Sequence, residues 1–434
     1  MRARLTPRPL ARVAGCFALA LGLAACGSAH ASRDEGPLTS AQCQGAVAST
    51  LGEVARRVYH AAGHGVVVGE AIHRVRSSPA LAQAIRADDA GAAAAALRSL
   101  LAGQIVRVEV QHGGRTFATA GSGSALAPVS GSIPHTDARY VLSTQSEQSY
   151  LQVTHQVTGG ELVLVSGGRR VAGTIPATPP AAELHGESPT PLTLAGTAYE
   201  AIALPGAAYP ATPLQIVLLV PASSATCQQG SSLAEARVEA LGTVGERIYK
   251  EEHESAYTKS ILRRVERSPA LREAAERRSV PAARAAIVGF FAAHIHVVRV
   301  RVTVPTATAA TTTRGGSGSG SGGKERLLYD LGGPHVLAPV AGELHDSHGH
   351  LVGRFEMAIQ DDAGYMKLAR LFTGAEVLMR TSGGQVEGSL KPGPASVPTR
   401  GEVQYAGHSY DAYTFTAEAF PAGPLRISLL LGDD

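Results

Sequence analysis

The most polar cluster at the end of a predicted strand is Gln360-Asp361-Asp362-Ala363-Gly364-Tyr365, followed by Lys367 and Arg370. Paired carboxylates beside a phenol would accept hydrogen bonds from a cationic or hydroxylated ligand, with Tyr365, Tyr410 and Tyr413 walling the pocket. A plainer reading stands beside it: Asp362 would cap a helix that starts where a strand ends. In that strand Phe355, Met357 and Ile359 share one face, and Arg354, Glu356, Ala358 and Gln360 the other. Arg354 therefore joins the candidate ligand contacts. His345-Asp346-Ser347-His348-Gly349-His350 has donors suited to zinc or nickel, but Asp-Ser-His-Gly is also ordinary turn chemistry, and successive strand residues face opposite ways. We read it as a solvated hairpin, which His294 and His296 would join only if folding brought them near. Hydrolase and nucleotide signatures do not occur: no G-x-S-x-G, H-E-x-x-H, P-loop or dinucleotide glycine pattern is present. The expectation is binding without catalysis and without a cofactor.

These residues must be positioned by a module that the chain contains twice. Ser78-Pro79-Ala80-Leu81 recurs as Ser268-Pro269-Ala270-Leu271, and Leu126-Ala127-Pro128-Val129 as Leu337-Ala338-Pro339-Val340. Ala195-Gly196 matches Ala406-Gly407, and Tyr209-Pro210 matches Phe420-Pro421. Each copy opens with helical spacing (Leu51, Val54, Val58; Leu241, Val244, Ile248). Ser-Pro then breaks the helix and starts another. Asp88 or Asp89 caps an Ala-rich helix over 90–102, and Ser279 with Pro281 starts its counterpart. The period then changes to two. Strands are predicted from Ile105 and from Ile295, then near 140–145 and 353–360, 161–166 and 376–381, 192–204 and 403–415, and 214–220 and 425–431. A short helix, Tyr150 to Val157 or Tyr365 to Phe372, interrupts them. Helices followed by an antiparallel sheet make an α+β fold in two tandem repeats. The run from Pro305 to Gly323 in copy two is rich in Thr, Ala, Gly and Ser and reads as a flexible loop.

The 434 residues carry 39 basic and 36 acidic side chains. Four of those arginines lie in the first 25 residues, which hold no acid; without them 35 bases face 36 acids. Such a balance, with no Trp and 5% aromatic residues, argues against nucleic-acid binding. A basic stretch, an apolar run from Val13 to Leu23 and then Leu23-Ala24-Ala25-Cys26 resemble a lipoprotein signal peptide with its lipobox. The resemblance implies cleavage before Cys26, its acylation, and attachment to the extracytoplasmic face of the cell membrane. The apolar run is too short to span a bilayer as a helix. With Cys16 removed and Cys26 acylated, Cys43 and Cys227 remain; a disulfide between them and two free thiols are the alternatives.

The order of a long helix, a strand pair, Val352-Gly353-Arg354-Phe355, a helix, Thr373-Gly374-Ala375 with an apolar strand, a Gly-Gly turn and two final strands is similar to extracytoplasmic Cache (PAS-like) sensor domains. The resemblance implies small-molecule binding between the sheet and its short helices. It does not carry over an amino-acid ligand, because the aromatic set of that subgroup includes a Trp that this chain lacks. The organisation expected is a signal peptide (1–25), a polar linker (26–42), repeat 1 (43–222) and repeat 2 (223–434, loop 305–324). The function expected is a lipid-anchored extracytoplasmic sensor whose ligand state is read by a membrane-embedded receptor or transporter. A structural or interaction lipoprotein without ligand, and a cell-wall hydrolase, are the alternatives. Because copy one has Gln145-Ser146-Glu147 where copy two has Gln360-Asp361-Asp362, the copies would bind different things, or only copy two would bind.

Overall fold

The computed structural model describes residues 37–101, 104–180, 184, 186–224, 231–292, 297–306, 325–421 and 423–432. Cys16, Cys26, Cys227, His294, His296 and most of the 305–324 loop lie outside them. Pro37–Asp434 clusters as one compact unit.

The first half begins with α1 (Ser40–His64), α2 (Val66–Arg76), α3 (Pro79–Arg86) and α4 (Ala90–Leu100). Thr39 and Gln42 form a capping box at the start of α1, Ser78 caps α3 with Pro79 in its first turn, and Asp89 caps α4. Each cap gives a partner to an amide that the helix leaves unbonded. Then follow β1 (Arg107–His112), β2 (Arg115–Gly121), β3 (Ala125–Leu126), β4 (Val129–Ser132), β5 (Arg139–Ser143) and β6 (Gln145–Ser146). Next come α5 (Glu147–Thr158), β7 (Glu161–Ser166), β8 (Arg169–Gly173), β9 (Thr190–Leu194), β10 (Thr197–Ala208) and β11 (Thr212–Pro221). The second half repeats the order as α6 (Leu233–Glu254), α7 (Ala256–Glu266), α8 (Pro269–Glu276) and α9 (Val280–Ala292). Its strands are β12 (Arg299–Pro305), β13 (Glu325–Gly332), β14 (Val336–Leu337), β15 (Val340–His345), β16 (Leu351–Ala358) and β17 (Gln360–Asp361). It ends with α10 (Asp362–Thr373), β18 (Glu376–Thr381), β19 (Gly384–Gly388), β20 (Arg400–Tyr405), β21 (His408–Phe420) and β22 (Gly423–Gly432). The fold is α+β in two similar halves, as the repeat implied.

Each half divides its strands between two antiparallel sheets. A four-stranded sheet runs β2-β1-β5-β4, and a seven-stranded one runs β6-β3-β10-β11-β7-β8 with β9 on β10. The second half repeats both orders strand for strand. The stretches 192–204 and 403–415, read above as single strands, are hairpins. Ala195-Gly196 and Ala406-Gly407 all have positive φ (48°, 83°, 52° and 82°), which turns the chain back on itself.

Three of the hydrophobic clusters explain the layering. The helices α2 to α4 bury Val75, Leu81, Ile85 and Leu97 against Val108, Val110 and Leu142 of the small sheet. Helices α7 to α9 do the same through Val265, Leu271, Ile287 and Phe290 against Val300, Val302 and Phe355. The third cluster belongs to both halves at once: Leu51, Val54 and Tyr150 join Leu241, Val244, Ile248, Tyr365 and Phe372 in one core. Glycine lets the long helices lie flat on their sheets. A β-carbon on Gly52 would stand 2.9 Å from Ile202, and one on Gly242 would overlap the Tyr413 ring.

Candidate functional site

The helices α1 and α6 start at the same end of the molecule, where the Leu38 amide donates to the Ser231 carbonyl (3.0 Å) and Gln44 Nε2 to Ala222 O (3.3 Å). Cys43, 2% exposed on the first turn of α1, is disulfide-bonded; the expected partner, Cys227, lies outside the described residues. The halves brace each other reciprocally. Arg247 of α6 donates Nη1 to the Thr158 carbonyl at the end of α5. Its counterpart Arg57 on α1 lies against Gly374 at the end of α10, close enough to leave no room for a β-carbon there. Both helix ends, Gly159 and Gly374, are left-handed (φ 67° and 74°), so glycine is required by conformation and by the approaching guanidinium alike.

Beside the α6 brace lies a cavity of about 670 Å³, within the size range of small-molecule sites. Its walls come from both halves: Cys43, Val47 and Leu51 of α1, Thr158 of α5, Glu235, Glu239, Thr243 and Arg247 of α6, and Arg400 and Asp411 of β20 and β21. The geometry around Arg400 is tightly built. Its Nε lies 2.6 Å and its Nη2 3.2 Å from the Glu239 carboxylate, and Nη1 donates to Thr399 O and Thr414 O. The guanidinium carbon sits 3.5 Å from the Tyr413 ring centre, a cation–π stack. Tyr413 Oη donates to Glu246 (3.0 Å), which also holds Lys250 (2.7 Å). Burial acts to raise the Glu246 pKa, but the bonds from Lys250 and Tyr413 outweigh it and hold the carboxyl below its ordinary range. Burial likewise acts to lower Arg400, yet Glu239 keeps it above its usual value.

Arg247 is different. It is half-buried, burial pulls its pKa down, and it has no carboxylate within ion-pair distance among the described residues. The internal repeat supplies the comparison. In the first half Arg57 Nε is satisfied by Glu53 Oε1 at 3.0 Å, one helical turn earlier. The residue corresponding to Glu53 is Thr243, whose hydroxyl donates instead to the Glu239 carbonyl (2.9 Å). The wall differs too: Pro189, within van der Waals reach of any β-carbon added at Gly45, corresponds to Arg400.

The sequence-predicted ligand contacts are spread over several places. Arg354 is on the outer face of the small sheet, paired with Glu325 and Glu343. Asp361 caps α10 by accepting from the Gly364 amide (2.6 Å), and Asp362 accepts from the Ala363 amide (2.8 Å) in the first turn. The cap thus falls on Asp361, one residue before the expected one. Tyr365 is fully buried and donates to the Gly245 carbonyl (2.9 Å). Tyr150 does the same toward Ala55 (3.2 Å), so the space between sheet and short helix is filled by a tyrosine in both halves. Tyr410 packs with Leu378 and Leu430 on the far face of the large sheet. Tyr413 alone of the set touches the cavity wall, through Arg400. In the β15–β16 hairpin Asp346 accepts from the amides of His348 and His350 (both 2.8 Å). Bonds from that turn hold its pKa down to about 2. The residues sequence reasoning missed are Thr243, Arg247, Glu239 and Arg400; setting the two halves side by side, with Glu53 against Thr243, was the signal that would have found the first two.

No protein-family model matches the sequence, and no curated protein sequence matches it. Two solved structures overlap it in part. One is the periplasmic domain of Vibrio cholerae LuxQ, at 10% identity over 45% of this chain and 100% of that one, TM-score 0.29. The other is an extracellular ligand binding receptor from Desulfohalobium retbaense, at 14% identity over 56% of this chain and 47% of that one, TM-score 0.25. At such TM-scores neither overlap carries an argument about function.

Proposed function

We propose that this protein binds a small carboxylate-bearing molecule in the cavity between its halves, without turning it over. The observation that carries this reading is Arg247. A half-buried guanidinium beside a 670 Å³ cavity lacks the acid that its counterpart has, and a ligand carboxylate would fill that place with charge-assisted hydrogen bonds. Glu235 in the same wall suits a ligand that also carries an amine or hydroxyl donor. The fold around the cavity supports a sensing role: both halves contribute to one core, so a ligand that draws the walls together is felt by both. The proposal places the protein outside the cytoplasm, held by acyl chains on Cys26 and reporting to a membrane-embedded receptor or transporter. The buried disulfide at Cys43 supports an oxidising compartment. The organisation proposed remains a signal peptide and linker before repeats 43–222 and 223–434.

The test is thermal unfolding of the Pro37–Asp434 unit against panels of amino, hydroxy and dicarboxylic acids and their uncharged amides. Acids that stabilise, with amides that do not, support the reading. Stabilisation that persists in Arg247→Gln, or a flat response to every acid, refutes it. A second reading, an envelope interaction protein without any ligand, is favoured by the filled interiors at Tyr150 and Tyr365. The flat response is its expected result.

A further inference from the structure

We propose that the groove between α7, α8 and α9 docks an acidic amphipathic helix of a partner protein. The groove encloses about 990 Å³ and is separate from the cavity between the halves. Its floor is small and apolar, with Ala274, Ala282, Ala286 and Gly289 leading to Phe290, so another helix can approach closely. Val288 stays 45% exposed beside it. Its rim is cationic: Arg263, Arg264, Arg267 and Arg277 line it against the single carboxylate of Glu273, which Arg277 already holds at 2.6 Å. Arg263, Arg264 and Arg267 are exposed and form no ion pair among the described residues.

The first half again serves as the comparison. Its helices keep the small floor, with Ala84, Ala92 and Ala96 at the matching positions, but the four arginines correspond to His73, Arg74, Ser77 and Ala87. The core packing is the same in both halves, so stability does not explain the added charge. An apolar strip flanked by guanidinium groups matches a helix carrying apolar residues at i, i+3, i+4 and i+7 and carboxylates on either side. The groove runs along α9 from Ala282 to Phe290, about two to three turns of a docked helix. The chain's own loop over 305–324 is not complementary, since it carries Arg314 and Lys324 and no acid. The 22-residue α6, about 33 Å long at 1.5 Å per residue, separates the groove from the end where Leu38 meets Ser231.

The experiment measures fluorescence anisotropy of a labelled designed helix, Leu on one face and Glu on the other, with the Pro37–Asp434 unit at low and physiological salt. A twin with Lys for Glu and vesicles of anionic phosphatidylglycerol are run in parallel. The acidic helix should bind, more weakly at higher salt, and the basic twin should not. The Arg263→Glu/Arg264→Glu/Arg267→Glu protein should lose affinity by about tenfold or more, as should Ala282→Glu, while Arg74→Glu in the first half should not. Circular dichroism and melting temperature confirm that the variants fold. Equal binding of both helices, binding unaffected by the groove variants, binding to vesicles only, or a self-dimer dissolved by the groove variants would overturn the proposal.

Discussion

Replacing Thr243 by Glu should close the site from within. In the first half Glu53 and Arg57, four residues apart on α1, form an ion pair at 3.0 Å. Thr243 and Arg247 have the same spacing on α6, and Glu before Arg is the favourable order on a helix. The new carboxylate should therefore take the guanidinium that the ligand would use. A hydrogen bond to a charged group contributes about 1.5–3 kcal/mol, so a ligand that must displace the introduced carboxylate from Arg247 would bind about ten- to a hundredfold more weakly. The unliganded Thr243→Glu variant should be equally stable or slightly more so. Saturating ligand at about a hundred times its Kd stabilises the native protein by about 2.7 kcal/mol, and in the variant the same concentration should give only about 0.4–1.4 kcal/mol. Calorimetric titration and thermal shift together read both quantities. A variant that binds the same acid with unchanged affinity would show that Arg247 is no ligand contact and would remove the main argument for the cavity.

Glu252, half-buried on α6, has its pKa pushed up to about 6 by burial first and by neighbouring Glu251 second. A carboxyl raised above its unfolded value favours folding when protonated. Its contribution, about 1–2 kcal/mol, is present below pH 4.5 and lost as the pH rises through 6. Glu252→Gln should raise the melting temperature at about pH 8 and leave it unchanged near pH 4.5; equal effects at both would refute the assignment. Gly242→Ala drives a β-carbon into the Tyr413 ring and should cost about 1–3 kcal/mol or more, read by denaturant unfolding. The control change Gly69→Ala, on a helix where nothing lies within 4 Å, should be stabilising or neutral. Tyr365→Phe removes the hydroxyl's bond to the Gly245 carbonyl, which keeps its helical partner, and should cost about 0.5–1.5 kcal/mol, with Tyr150→Phe behaving alike. Peptide mapping of the unreduced protein should yield Cys43 joined to Cys227, and free thiol at both would contradict the proposed pairing.

The parts legible in the sequence are those set by neighbours along the chain. Apolar runs over 161–166 and 376–381 gave strands β7 and β18 at their observed bounds. Ser-Pro at 78–79 and 268–269 gave the starts of α3 and α8, because proline lacks the amide that a first turn leaves unbonded anyway. The hairpins at Ala195-Gly196 and Ala406-Gly407 were missed because strands on both sides keep the same period, and a two-residue reversal leaves that period almost unbroken. Asp361 and Asp362 drew attention by type, but whether a carboxylate at a helix start meets a ligand or an amide depends on the backbone geometry around it.

The duplicated order of helices and strands, the α+β class and the helix starts at Ser78, Asp89 and Ser268 belong to the sequence by itself, since each follows from propensity and periodicity over a few residues. Only the tertiary structure decided that the two halves share a single core, that Tyr365 fills the space where a ligand was expected, and that a cavity opens beside Arg247. Those outcomes turn on which side chains from segments far apart in the chain come to lie against one another. Close packing and charge pairing are properties of that three-dimensional neighbourhood, and no local pattern encodes them.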